Sequence, residues 1–144
     1  MAIKYYHTNH INGEPGGLIR FAIEGWIEIC DRGWSWDDWL PFQPGDSAVY
    51  CMDGPNIVGT LVYSYDQTNR KIVVELAYIN RYYRHLKLYD ELYRFLYENI
   101  EPLNYVVVES LVHTTNEKVL NKTKKRGREM PFYVIRTRRE IDYL

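Results

Sequence analysis

Cysteine is scarce in this chain, with only Cys30 and Cys51 among 144 residues. Two thiols exclude a disulfide scaffold, and both are expected to be reduced and partly buried. Long apolar runs are missing too: nothing approaches the roughly 20 residues of a membrane-spanning helix. The opening Met1–His7 shows no basic segment followed by an apolar stretch, so no secretory signal is expected and the location it suggests is cytoplasmic. The sequence has no internal repeat and no low-complexity tract. Metal-ligand clusters are equally thin. His7 and His10 stand three apart without a cysteine or an acidic pair beside them, so no metal site is expected.

The apolar fraction of 46% and the charged fraction of 26% exclude general disorder, and the length fits one domain spanning 1–144. Aromatics are plentiful, with 14 Tyr and 4 Trp, and they supply large buried areas to a small core. The net charge of −1 conceals an asymmetry. Residues 1–116 carry 9 basic and 15 acidic side chains, whereas 117–144 carry 9 basic and 4 acidic ones. That C-terminal surplus could face a phosphate, a nucleic acid or an acidic partner, or it is simply a solvated helix face.

Residues 2–8 alternate weakly, as a first strand would. Asn12–Gly17 has loop chemistry. Leu18, Ala22, Trp26 and Ile29 are spaced as one helical face, predicting a helix over Leu18–Asp31 stopped near Gly33. Trp34, Trp36 and Trp39 follow, on a short helix begun by Ser35 and Asp37. They are read first as core and second as walls of an acceptor pocket. Ser47–Met52, Ile57–Tyr65 and Lys71–Ile79, separated by short turn segments, predict an antiparallel meander. A helix is expected over Tyr83–Asn99 with Leu88, Leu92, Phe95 and Leu96 as its apolar stripe. Tyr105–Val112 reads as a buried strand. A helix capped by Thr114 or Thr115 then runs to about Arg126, with Gly127 at its end, and Phe132–Thr137 is a last strand.

That element order, together with the residues around 57–135, resembles the GNAT N-acetyltransferase superfamily. Glu75-Leu76-Ala77-Tyr78-Ile79-Asn80-Arg81-Tyr82-Tyr83-Arg84 is similar to the family's fourth strand and its exit into the cofactor loop. Asn116-Glu117-Lys118-Val119 followed by Lys125-Arg126-Gly127 matches its later signature in spacing. The resemblance implies an α+β fold, with a mixed, mostly antiparallel sheet flanked by helices. It implies acetyl-CoA as acyl donor and a small-molecule or protein amine as acceptor. Ala77, Tyr78 and Ile79 would meet the pantetheine arm. Arg84, His85, Leu86, Lys87, Leu88 and Tyr89 would meet the pyrophosphate, and Asn116 would belong to the same cofactor site.

The physical logic of such a site is separate. A strand that parts from its neighbour leaves backbone groups needing partners, which an amide-bearing arm supplies by adding like a strand. Pyrophosphate suits free amides at a helix start. The family's loop reads Arg/Gln-x-x-Gly-x-Gly/Ala; here Lys87 and Tyr89 replace the small residues, and Tyr89 could fill the phosphate space. The family's acid is often a tyrosine at the position of Thr123, and threonine is far too weak an acid to replace it.

Two residues stand as catalytic candidates. Glu75 lies in a predicted interior strand, where burial raises a carboxyl toward a useful range. His113, at the end of a predicted strand, titrates in that range by nature. Glu109 is read as either pointing outward or paired with a lysine or arginine. The basic set Lys118, Lys122, Lys124, Lys125, Arg126 and Arg128 could contact phosphates. No RNA-binding or zinc-finger motif accompanies it, so nucleic acid is the minority reading. The expectation is therefore an acyl-CoA-dependent N-acyltransferase without a membrane partner, with homodimerisation left open. The alternative is a catalytically degenerate GNAT-like binding or adaptor protein.

Overall fold

The computed structural model describes residues 2–13, 15–34, 39–100, 107–113, 116–129 and 133–138; for Leu111, His113 and 133–138 it describes the backbone alone. The elements are β1 (Ile3–Thr8), α1 (Leu18–Asp31), β2 (Ser47–Asp53), β3 (Asn56–Asp66), β4 (Lys71–Ile79), a 3₁₀ helix (Arg81–Leu86), α2 (Leu88–Asn99), β5 (Val107–His113), α3 (Glu117–Glu129) and β6 (Tyr133–Arg138). The strands form one sheet in chain order. β1 to β4 are antiparallel to one another, while β4–β5 and β5–β6 are parallel. The parallel pairs are those joined through α2 and α3, because a parallel connection must cross over the sheet. The expected mixed, mostly antiparallel α+β architecture is therefore present.

The sheet is packed on both faces. On one, Val49, Cys51, Leu61, Tyr63, Ile72 and Val74 meet Leu88, Leu92, Tyr93 and Leu96 of α2. On the other, Ala48, Tyr50, Val62 and Leu76 meet Leu18, Ala22 and Trp26 of α1. A β-bulge in β4 sets this division. Val62 pairs with Leu76 and Tyr63 with Val74, so Glu75 is the extra residue. An extra residue reverses the alternation of a strand. Ile72 and Val74 accordingly pack on the α2 side before it, while Leu76 packs on the α1 side after it.

Helix α1 has its expected bounds. The expected helix from Tyr83 is corrected. Asn80 takes hydrogen bonds from the Tyr82 N–H on its side chain, at 3.0 Å, and from the Tyr83 N–H on its carbonyl, at 2.9 Å. This turns the chain into the 3₁₀ segment. Lys87 then adopts a left-handed backbone with φ of 58°, which breaks the spiral before α2 starts at Leu88. α3 also runs past its expected stop, with Gly127 inside it. The cap residues Thr114 and Thr115, the Ser35 and Asp37 start of the expected short helix, and the strand ends at Tyr105, Val106 and Phe132 lie outside the described residues.

Glu109 is 6% exposed and accepts a hydrogen bond from Lys71 Nζ at 3.2 Å, so of its two expected placements it takes the pairing and does not point outward. Cys30 and Cys51 form no disulfide, and burial pushes the Cys51 thiol up to about 12. No helix among the described residues is long and apolar enough to cross a membrane.

Gly25 lets α1 lie against β4. A Cβ there would fall 2.4 Å from Cγ and 2.8 Å from Cβ of Tyr78, inside any van der Waals contact. Alanine normally stabilises a helix interior over glycine by about 1 kcal/mol. Overpacking of this kind costs about 1–3 kcal/mol, and here it should prevail. Gly25→Ala is expected to lower the urea midpoint at unchanged slope; a raised midpoint would contradict the close packing of α1 on Tyr78.

Candidate functional site

β4 and β5 pair only from Lys71 with Val107 to Val74 with Ser110. Beyond the bulge β4 continues against β3, whereas β5 continues against β6. The two strands thus part at Glu75. The hydrogen bond from the Asn80 N–H to the Val58 carbonyl, 2.9 Å, fixes the phase of the β3 ladder. Alternation then turns the backbone groups of Tyr78 and Leu76 toward β3 and those of Ala77 and Ile79 toward the gap. The Ile79 carbonyl accepts from Arg84 Nε at 3.0 Å.

A cavity of about 490 Å³ occupies this gap. Its floor is β4 from Val73 to Ile79 with Ser110 and Val112 of β5. One wall comes from α1 through Trp26, Glu28, Ile29 and Arg32, and the opposite wall from Asn116, Lys118, Val119 and Lys122 at the start of α3. Arg84 and Tyr89 stand at the third side. The size is in the ordinary range of small-molecule sites.

Glu75 is the acidic group of the floor. Its carboxyl is pushed up to about 8, chiefly by burial and further by the neighbouring Asp46, against a hydrogen bond from Ser64 that favours the charged form. Ser64 Oγ donates to Oε1 at 3.0 Å, while Oε2 is buried and no hydrogen bond of normal geometry reaches it. Alternation from Ile72 and Val74, which pack toward α2, puts Glu75 on the α1 face beside Ser64, and the bulge lets Leu76 follow it on that same face.

At the mouth, Arg84 does more than an exposed anion ligand would. Besides the Ile79 carbonyl it holds Glu28 of α1 in a hydrogen-bonded ion pair, and its guanidinium lies 5.8 Å from the Tyr78 ring centroid. His85, Leu86, Lys87 and Leu88 are not among the cavity-lining residues; Leu88 is buried in the core, and His85 and Lys87 are exposed. Lys87 nonetheless keeps the left-handed backbone that a glycine would adopt there. The Tyr89 ring does not plug the gap. It packs 5.1 Å from the Tyr93 ring, with the Arg126 guanidinium 4.8 Å and Lys122 Nζ 5.5 Å from its centroid, and so becomes a wall.

Arg126 is thereby removed from the expected solvent-facing basic set. It is 6% exposed, bonded to Asp90 at 3.0 Å and stacked 3.8 Å over Tyr93. A planar, weakly hydrated guanidinium suits this aromatic burial. Thr123 is fully buried and donates to the Leu120 carbonyl at 2.9 Å, so its hydroxyl serves the helix.

Of the sequence-based candidates, the structure brings Glu75, Ala77, Tyr78, Ile79, Arg84, Tyr89 and Asn116 to one cavity. His113 ends β5, and its side chain lies outside what is described. Trp34 lines the cavity beneath the Arg32 guanidinium, Trp39 is 81% exposed, and Trp36 lies outside the described residues. His7 bonds to the Tyr63 hydroxyl and His10 to the Gly45 carbonyl. Sequence reasoning missed Trp26, Glu28 and Arg32. The helical spacing marks Trp26 as core, and only the close approach of α1 to β4 shows that the same face also borders the gap.

No protein-family model and no curated protein sequence matches this chain. Solved structures do. An aminoglycoside acetyltransferase from an uncultured soil metagenomic sample, in complex with trehalose, superposes with a TM-score of 0.65 at 11% identity, covering 85% of this chain and 86% of that one. A ribosomal-protein-alanine N-acetyltransferase from Brucella melitensis biovar Abortus 2308 gives 0.61 at 14% identity, covering 87% and 90%. An N-acetylglutamate synthase from Neisseria gonorrhoeae, complexed with coenzyme A and N-acetyl-glutamate, gives 0.61 at 8% identity, covering 83% of this chain and 28% of that one. All three are GNAT acetyltransferases, and at such low identity the shared property is architecture. This chain has the fold of the GNAT N-acetyltransferases.

Proposed function

We propose that the chain is a divergent GNAT enzyme that transfers the acetyl group of acetyl-CoA to a primary amine on a small molecule or a protein, in the cytoplasm. The observation that carries the reading is the gap between β4 and β5, with an unpaired backbone edge on one side and a buried carboxyl at its floor. An amide-bearing arm can add to that edge at Ala77 and Ile79, beside Tyr78, which lines the same cavity. Arg84, Lys118 and Lys122, with Asn116 and the backbone of His85, Leu86, Lys87, Leu88 and Tyr89 nearby, suit the phosphates of the same donor.

In the reaction, the amine nitrogen attacks the thioester carbonyl. The C–S bond breaks, the new amide forms, and the proton lost by nitrogen passes to Glu75. The departing thiolate takes a proton in turn. A carboxyl near 8 is a stronger base than an ordinary one, and in its acid form it can return the proton. Holding the reactants together contributes a further ~7–11 kcal/mol of barrier lowering. His113, at the end of β5, is the second acid–base candidate. The competing reading, a binding or adaptor protein without turnover, draws on Arg84, which already holds the Ile79 carbonyl and Glu28.

Acetyl-CoA at a hundredfold excess over its Kd should add about 2.7 kcal/mol to folding stability and raise Tm. An unchanged Tm at millimolar acetyl-CoA would contradict the reading. A raised Tm without release of free thiol across an amine panel would favour the adaptor. With a productive amine, kcat/KM should rise with pH through an inflection near 8. Glu75→Gln should lose that inflection and about 10²–10⁴ of the rate while keeping its affinity for acetyl-CoA. An unchanged profile in the variant would exclude Glu75 as the base.

Stability supplies an independent check. A carboxyl that keeps its proton to about 8 when folded, against 4.5 ordinarily, binds that proton better in the folded state. Folding stability therefore falls as pH rises from about 4.5 to about 8. In urea unfolding, Glu75→Gln and the parent protein should differ little at pH 5, and the variant should be the more stable at pH 9. The reverse ordering at pH 9 would show that Glu75 is not penalised by burial.

A further inference from the structure

Glu75 does not stand alone on its face of the sheet. Ala48 and Tyr50 of β2 and Val62 of β3 pack toward α1, and side chains alternate along a strand. Continued by one more step, that alternation puts Asp46 and Ser64 on the face that Glu75 occupies. Ser47 pairs with Tyr63 in the antiparallel β2–β3 ladder, so Asp46, just before Ser47, comes level with Ser64, just after Tyr63. Ser64 Oγ donates to Glu75 Oε1 at 3.0 Å, and the Asp46 and Glu75 carboxyls are hydrogen-bonded to each other. The three side chains form one polar row across the sheet. Asp46 is fixed on its other side: Oδ2 accepts from the Gln43 N–H at 2.9 Å, and its backbone carbonyl accepts from the Ile11 N–H at 2.9 Å. It is half-buried and does not line the cavity, whereas Glu75 does.

A hydrogen bond between two carboxyls needs a proton on one of them, since an ionised carboxylate only accepts. Among the described residues no N–H or hydroxyl reaches the buried Oε2 of Glu75, which leaves a proton shared with Asp46 as the remaining donor to that carboxyl. Other charged and titratable groups surround the pair. Glu28 and Arg32 of α1, Arg84 and Tyr89 beyond β4, Tyr78 of β4, and Lys118 and Lys122 of α3 all line the cavity. His10, whose ring bonds to the Gly45 carbonyl at 3.2 Å, lies on the Asp46 side. The cations favour an ionised Glu75, yet its carboxyl is pushed up to about 8, by burial first and by Asp46 second.

We propose that Asp46 is a positioning residue for Glu75: the two carboxyls hold one proton between them, Glu75 from inside the cavity and Asp46 from outside it, and this sharing gives Glu75 its strength as a base toward the acceptor amine. Two carboxyls at one place resist ionising together, so the second proton leaves late. The fully ionised pair then takes the proton that the amine nitrogen loses as its bond to the acyl carbon forms. The pair holds that proton and passes it to the departing thiolate, and so ends as it began. The assignment rests on the transferase reading and names what sets the strength of its base, yet the titration it describes needs no turnover.

The side-chain carboxyl carbons of protein labelled with 13C-aspartate and 13C-glutamate report the pair directly, with Asp46 and Glu75 assigned through their backbones. In the parent protein both carbons should move in one shared step near pH 8, as coupled sites do. In Glu75→Gln the Asp46 carbon should lose that step. In Asp46→Asn the Glu75 step should fall by about one pH unit or more, because the amide keeps an oxygen for the Gln43 N–H and offers Glu75 a donor in place of a negative charge. With a productive amine, kcat/KM of Asp46→Asn should be about threefold above the parent's at pH 6 and about threefold below it at pH 9, since more of the base is ionised and the ionised base is weaker. An Asp46 carbon that ignores the Glu75 step in the parent protein would overturn the proposal, and that result needs no variant to fold. So would an unmoved Glu75 step in Asp46→Asn, or the same kcat/KM profile in both proteins. A shared step without thiol release from any amine keeps the pair and removes the transferase reading; thiol release without a shared step keeps that reading and removes the pair.

Discussion

Two parallel strands that share four residue pairs and then separate impose the conditions that the rest of the molecule meets. Were β4 and β5 paired to their ends, the backbone of Ala77 and Ile79 would be satisfied within the sheet and no cavity would open there. Because they part, that edge needs other partners. In this structure the Ile79 carbonyl finds one in Arg84. The bulge at Glu75 stands where the strands diverge. By reversing the pleat it lets Leu76 pack on α1 after Val74 has packed under α2, so both faces of the strand stay covered.

The charges around the gap follow from the same geometry. A carboxyl brought to the floor of a partly buried cavity loses hydration and gains an acidic neighbour, and both effects favour its protonated form. At the mouth, Arg84 bridges the end of β4 to α1 through Glu28. On the far side, Arg126 is buried against Tyr93 and Asp90, where it braces α3 against α2, while Lys118 and Lys122 of the same helix remain at the cavity. A basic helix thus divides its cations between packing and the site, which a count of charge alone does not resolve.

Much of the architecture was legible because its signals are local. The spacing of Leu18, Ala22 and Trp26 marks α1, and the Val- and Ile-rich runs between short turns mark the meander. The order of elements suffices for the family resemblance. The start of α2 was not legible, since its apolar stripe is continuous with Leu86 and Tyr83, and the break depends on a left-handed Lys87 where glycine would be the usual signal. Tyr89 looked like an obstruction by size; its orientation toward Tyr93 and Arg126 is a tertiary fact. The bulge at Glu75 leaves no mark that distinguishes it from a regular strand. Trp26 read as core because it is core on one side, and nothing in a helical pattern reveals that the same face borders the gap.

The claim on which everything else depends is that the Ala77 and Ile79 edge of β4 is open to a ligand. Residue-resolved amide hydrogen exchange along β4, with and without CoA, tests it most directly. In the free protein the Ala77 and Ile79 amides should exchange faster than those of Leu76 and Tyr78, which face β3, and saturating CoA should slow Ala77 and Ile79 selectively. Equal protection of all four amides in the free protein, or exchange at Ala77 and Ile79 that CoA leaves unchanged, would contradict the account.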